Sequence, residues 1–198
     1  MSKLLFRCLA GWTSALMAAS CYGDSGAGEL QASEPGAAAV PGRMLVAYFS
    51  WSGTTERVAK TIAEQTGADL FRIETAEPYP TDYVPCTEVA KAERDNNVHP
   101  ALKGKVENMD AYDVIFVGCP VWWHTAPMAL HTFLLDSGYN LKGKTIVPFC
   151  TYAETYRDET LAKIVELTPD SKHLKGLGLT SHKAGRITDW LRSINIIK

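Results

Sequence analysis

Arg43-Met44-Leu45-Val46-Ala47-Tyr48-Phe49-Ser50-Trp51-Ser52-Gly53-Thr54-Thr55-Glu56-Arg57-Val58-Ala59-Lys60 is the stretch from which the fold can be read. It opens as a continuous apolar run of strand-forming residues, as expected for a strand buried on both faces of a parallel sheet. It then breaks into a loop of hydroxyls around one glycine and restarts with helical spacing at Val58, Ile62 and Ala63. Strand, hydroxyl-rich loop and helix start together describe a phosphate site. The loop amides and the first free amides of the helix converge on one point, where the helix dipole favours an anion. Ser50, Ser52, Thr54 and Thr55 add side-chain donors, and no Lys or Arg lies between them. A dianion there would be held by neutral donors and the helix end. Taken alone, the same residues also describe a strand-to-helix turn with a threonine cap. The rest of the chain decides between the two.

With 198 residues, 46% of them hydrophobic and 21% charged, the chain fits one globular domain plus a short extra segment. A net charge of −2 gives it no pull toward nucleic acid or an anionic membrane. Residues 1–20 read as a secretory signal: Lys3 and Arg7 make a positive start, Leu9 to Ala19 is a short apolar core, and Ala18-Ala19-Ser20 supplies small residues for cleavage. Leu16-Met17-Ala18-Ala19-Ser20-Cys21 resembles a bacterial lipoprotein box, with Ala18 where that box usually carries Leu. A lipid on Cys21 would be the chain's one link to a membrane, and the expected location is the periplasm or the cell envelope. Residues 21–42 are rich in Gly, Ala, Ser and Pro and too poor in large apolar side chains to offset their ordering entropy, so they read as a flexible tether. Removing residues 1–20 takes away two cations and no anion, which moves the net charge from −2 to −4.

Residues 43–198 make up the domain. Ala68 to Glu74 alternates as a half-exposed edge strand does. Glu77 to Tyr83 is a proline-stiffened crossing, followed by a polar helix around Cys86 to Asn96 and a loop from Asn97 to Asp110. Asp113 to Cys119 is the strongest buried strand. It leads through Pro120-Val121-Trp122-Trp123-His124-Thr125-Ala126-Pro127 into a helix over Met128 to Leu135, with Pro127 in its first turn. Lys144 to Thr151 is a fourth strand whose Pro148 implies a local irregularity, because proline removes a ladder donor. A helix from Asp158 to Leu167, a weak fifth strand near Leu174 to Leu179 and a helix from Ala184 to Ile194 complete the pattern. Strands alternating with helices mean a parallel sheet covered on both faces.

Five segments in order carry a resemblance: Tyr48 to Thr55, Glu77 to Tyr83, Gly118 to Trp123, Ala126-Pro127, and Gly143-Lys144 leading to Pro148-Phe149-Cys150-Thr151. From Arg43 onward the chain resembles a flavodoxin, more closely the bacterial flavodoxin-like proteins whose third strand ends in a Pro-x-Trp-Trp loop. The resemblance implies a three-layer, doubly wound α/β fold with five parallel strands in the order 2-1-3-4-5, and FMN at the switch point between strands one and three. It implies cofactor contacts from Ser50, Trp51, Ser52, Gly53, Thr54 and Thr55, from Pro120, Val121, Trp122, Trp123 and His124, and from Thr151, Tyr152, Ala153 and Tyr156. Neighbours in an extended segment point opposite ways, so one of Trp122 and Trp123 should face the core and the other the flavin. His124 reads as an exposed polar residue or, protonated near the ring, as a partner of the reduced flavin. Thr151 to Asp158 departs from the family's glycine- and serine-rich turn, for it has no glycine. There Tyr152 or Tyr156 could stack on the ring, Arg157 would favour reduced-flavin charge and Glu154 would oppose it.

Other uses of this layout fail on particular residues. The first loop lacks the cysteine and arginine of a low-molecular-weight phosphatase, and Gly118-Cys119 stands where a response regulator carries aspartate. No G-x-S-x-G elbow is present, and His124 and His131 lack partners at metal spacing. Cys119 and Cys150 should end adjacent strands as small buried residues, since a bridge between neighbouring parallel strands is strained. The reading is an exported FMN protein that transfers electrons to unidentified partners or reduces a small acceptor such as a quinone, with no catalytic side chain of its own. The alternative is a flavodoxin-fold binding module that has lost FMN or holds another phosphorylated ligand. For the export segment, mass spectrometry of the protein from its native envelope should find no chain retaining Met1 to Ser20; an intact N-terminus would contradict it.

Overall fold

The computed structural model describes residues 42–198. The signal segment 1–20, Cys21 and the tether as far as residue 41 lie outside the described residues. Strand β1 (Met44–Phe49) leads to helix α1 (Thr54–Thr66), edge strand β2 (Asp69–Ile73), helix α2 (Tyr83–Asp95), strand β3 (Val114–Pro120) and helix α3 (Met128–His131). Strand β4 (Thr145–Thr151), helix α4 (Arg157–Glu166), short strands β5 (Lys172–His173) and β6 (Leu177–Leu179), and helix α5 (Ala184–Ser193) follow. All pairings within the sheet are parallel, in the order β2-β1-β3-β4-β5, with β6 also on β4. The expected order 2-1-3-4-5 is the one observed.

The apolar runs are continuous because both faces of each central strand are covered. Leu45, Ala47 and Phe49 of β1 join Ile115, Val117 and Cys119 of β3 in a cluster beneath α3 and α4. Val46, Tyr48, Val114, Phe116, Val147 and Phe149 pack on the other face, against Val58 and Ile62 of α1 and Ile187 and Leu191 of α5. Cys119 and Cys150 lie opposite each other in register as free, buried thiols. Burial raises the Cys119 thiol well above its usual range and pushes Cys150 up to about 12, so neither ionises near neutrality.

Three expectations need correction. The helix after Pro127 has only one regular turn: Pro127 precedes it as the cap residue, and Thr132–Asp136 continues in π-helical geometry. Helix α2 starts at Tyr83, three residues before Cys86, because Pro85 can sit inside a first turn whose amides have no intrahelical acceptor. The fifth strand is split in two. Ile146 accepts from the Leu174 amide, Pro148 has no amide to donate, and pairing resumes only at Phe149 with Leu177. The irregularity read into Pro148 therefore lies in its neighbour, and Gly176 lets the two chains approach: a Cβ there would sit 3.0 Å from the Pro148 carbonyl.

Gly118 fixes how β3 and β4 meet below the functional edge. A Cβ on it would lie 2.0 Å from Cζ of Phe149, whose ring covers the glycine and is fully buried. Gly118→Ala should lower the melting temperature by about 5 °C, the scale of about 2 kcal/mol of overpacking in a domain of this size. Adding Phe149→Leu should recover much of the loss. An unchanged melting temperature in the single variant would contradict this packing.

Candidate functional site

In a parallel sheet the loops after β1, β3 and β4 leave from one edge, and β1 and β3 are the neighbours from which the chain departs in opposite directions. The three loops meet there around a cleft of about 370 Å³. Its walls include Trp51 from the first loop, Val121 to His124 from the second, and Ala153 to Tyr156 from the third.

The four hydroxyls of the first loop divide their work. Ser50 is buried, and its Oγ accepts from the Glu56 amide at 3.3 Å, tying the loop to α1. Thr55 is also buried, and its hydroxyl meets that of Thr151 at 2.8 Å, which joins the first loop to the end of β4. Ser52 and Thr54, with Oγ and Oγ1 3.3 Å apart and exposed, are the pair a ligand can reach. Gly53 has φ +83 and open space where a Cβ would be, so a group can approach the backbone closely. The Thr54 and Thr55 amides begin the helix, where no intrahelical acceptor exists. Glu56, in the same turn, is paired with Lys60 at 2.7 Å and Arg72 at 3.3 Å. The hydrogen bond from Lys60 and the nearby Arg72 charge hold its carboxyl below the usual range, so its charge is countered beside the first loop. Arg72 also donates to the Ser50 carbonyl at 3.3 Å. The sequence shows no cation in the loop; the fold brings this one from β2.

The second loop is not extended, as the alternating placement of its tryptophans assumes. Trp122 and Thr125 exchange two backbone hydrogen bonds of 3.0 Å, closing a tight turn with Trp123 at φ 47 and His124 at φ 70. Trp122 points inward, edge-on to Phe49 at 5.2 Å and to Tyr79 at 5.0 Å. Trp123 leans on α2, donating its indole N–H to the Thr87 carbonyl at 2.8 Å. Both line the cleft. His124 stacks on Tyr156 of the third loop with centroids 3.8 Å apart. Of the two third-loop tyrosines, Tyr156 reaches the cleft, whereas Tyr152 packs beside Gly178 and Arg157. Thr151 is buried and acts through Thr55, and Pro120 ends β3 without lining the cleft. Trp51 is held by its indole N–H on the Pro80 carbonyl at 2.9 Å, which uses the proline-stiffened crossing as a brace.

Sequence reasoning missed α2. Tyr83, Cys86, Thr87 and Ala90 form the remaining wall, and nothing in their one-dimensional pattern marks them. Burial raises the Cys86 thiol, so it is a neutral wall residue rather than a nucleophile. Among the described residues no group of His, Cys, Asp or Glu is arranged to hold a metal. The cleft offers flat aromatic surface, with Glu154 as the one carboxylate on its lining, and through Trp51 it adjoins the hydroxyl-rich first loop.

The family model described as Flavodoxin matches residues 43–194. A solved protein from Bacteroides eggerthii described as a flavoprotein is 35% identical; the match covers 80% of this chain and 100% of that one, with a TM-score of 0.69. A second, from Bacteroides uniformis, is 31% identical over 76% of this chain and 98% of that one, with a TM-score of 0.68. A Lactobacillus acidophilus flavoprotein solved in complex with FMN shares the fold at 22% identity, covering 76% and 99% of the two chains, with a TM-score of 0.64. No curated protein matches the sequence.

Below the cleft, the Tyr79 hydroxyl donates to Glu93 of α2 at 2.6 Å. Burial raises the Glu93 carboxyl, outweighing the lowering by that hydrogen bond. A raised carboxyl contributes stability at low pH that is lost as pH rises through its folded value. Glu93→Gln keeps an acceptor for Tyr79 without the buried charge. Its stability relative to the parent should therefore improve from pH 4 to pH 8, measured by denaturant unfolding. A difference that does not change with pH would contradict the burial argument.

Proposed function

The chain belongs to the flavodoxin family, and on that premise we propose that it binds FMN and uses it to transfer electrons or to reduce a small acceptor such as a quinone. The observation carrying this reading is the convergence of the three loops, with a neutral anion cradle next to an aromatic cleft. The residues fit the cofactor. Ser52, Thr54, the α1 amides and the open space over Gly53 suit a phosphate. The cleft, at about 370 Å³ and lined by Trp51, Trp122, Trp123, His124 and Tyr156, suits a flat amphipathic ring. When bound, FMN supplies the redox chemistry, and the protein supplies binding, orientation and electrostatics. Trp122, backed by Phe49 and Tyr79, gives a rigid aromatic face, and the turn carries His124 to the mouth. The modest negative charge favours no particular basic partner by strong long-range steering.

A second reading, a binding module for another phosphorylated ligand, draws on the third loop. The His124 and Tyr156 faces that a ring would touch are in contact with each other, and no glycine eases their separation.

Titration with FMN and riboflavin separates the readings and tests the cradle. The parent should form a yellow complex with FMN. Ser52→Ala combined with Thr54→Ala removes two neutral donors, each contributing about 0.5–1.5 kcal/mol, so FMN affinity should fall roughly tenfold while riboflavin binding holds. Equal losses would place the phosphate elsewhere, and no complex with either flavin would favour the second reading. Dithionite-reduced holoprotein mixed with a neutral quinone should reoxidise at a rate set by quinone concentration. Failure to do so would remove quinone reduction from the proposal.

A further inference from the structure

The turn after β3 is built from residues unsuited to it. Hairpin turns with positive φ at both central positions favour Asn and Gly, because a side chain in the left-handed region crowds its own carbonyl. Here the two central residues are Trp123 at φ 47 and His124 at φ 70. Turning over the peptide between them would give the alternative hairpin turn, in which the second central residue has negative φ. That route would relieve His124 but would put Trp123 at the position of the alternative turn that glycine occupies, so the turn is strained in either form and rests on a contact from outside it.

Arg94 makes that contact. Its Nη1 donates to the Trp123 carbonyl, the oxygen of the central peptide, at 3.0 Å. Its guanidinium lies 5.3 Å from the centroid of the Trp123 ring, so one group fixes both the peptide and the side chain. The Trp123 indole is tied to the same helix about two turns earlier, through the Thr87 carbonyl. Asp95 holds the other side of the guanidinium, with Oδ1 2.9 Å from Nε. Arg94 does not line the cleft, and its neighbour Glu93 supports Trp122 from below through Tyr79. The last turn of α2 therefore sets both tryptophans.

We propose that Arg94 is a positioning residue of the ring side of the cleft: it locks the Trp123–His124 peptide in its strained orientation and so sets the surface against which a flavin packs. The flavin part rests on the function proposed above; the lock itself does not. A lysine can place one donor on the carbonyl or a charge over the indole, but lacks the planar fork that does both.

Two measurements test this on the intact chain with Arg94→Met, which keeps the stem and removes the guanidinium. In the protein without flavin, exchange of the Trp123 indole proton, followed by NMR, should speed up by about tenfold, the ratio to which about 1.4 kcal/mol corresponds. FMN and riboflavin should weaken by equal factors, since the loss is at the ring and not at the phosphate. Arg94→Lys should fall between the variant and the parent, and it carries the test if Arg94→Met does not fold. His124→Gly, which accepts positive φ freely, should shrink the effect of Arg94→Met on indole exchange. Unchanged exchange in both Arg94 variants overturns the proposal, as does a loss confined to FMN. If the parent binds neither flavin, the functional reading fails while indole exchange still decides the role of Arg94.

Discussion

The turn closed by Trp122 and Thr125 is the constraint to which the rest of the functional edge is fitted. Two successive bulky residues in the left-handed region cost free energy that only outside contacts can offset. Those contacts come from separate parts of the chain: Thr87 and Arg94 on α2, and Tyr156 after β4. The core supplies another, since Trp122 is wedged edge-on between Phe49 and Tyr79. Strain concentrated where three loops meet, and held in place from several directions, is characteristic of a binding site rather than of a connection.

Charge at this edge is arranged by pairing rather than by excess. The first loop presents hydroxyls and free helix amides, while Lys60 and Arg72 counter Glu56 nearby. Buried thiols at Cys86, Cys119 and Cys150 stay protonated, which leaves no sulfur nucleophile among the described residues. FMN, bound as proposed, would bring its own redox chemistry to this edge.

What could be read in the sequence follows from burial. Strands β1, β3 and β4 are covered on both faces, so their apolar runs stand out; the parallel sheet followed from alternation with helices, and the strand order from the resemblance alone. Pro148 announced an irregularity, but only the pairing shows that the fifth strand bears it. The first loop reads from the sequence as a phosphate site, but not the split in which Ser50 and Thr55 brace the loop while Ser52 and Thr54 stay reachable. That division depends on which way each hydroxyl turns in three dimensions. The part of α2 was hidden for the same reason. Thr87 acts through its carbonyl, Arg94 reaches a carbonyl across 29 residues, and neither leaves a periodic trace. The positive φ of Trp123 and His124 was hidden too, because their residue types argue against it.

If the cleft between the three loops receives the flavin, as proposed, the tryptophan side chains report on it directly. Trp51, Trp122 and Trp123 line the cleft, whereas Trp190 lies on α5, with its indole N–H on the Lys175 carbonyl at 2.8 Å. A titration with FMN followed by the indole N–H signals in a proton–nitrogen correlation spectrum reads them separately. Saturable shifts are expected at Trp51, Trp122 and Trp123, with Trp190 unmoved. Saturable binding that shifts Trp190 and leaves the three cleft indoles in place would contradict it.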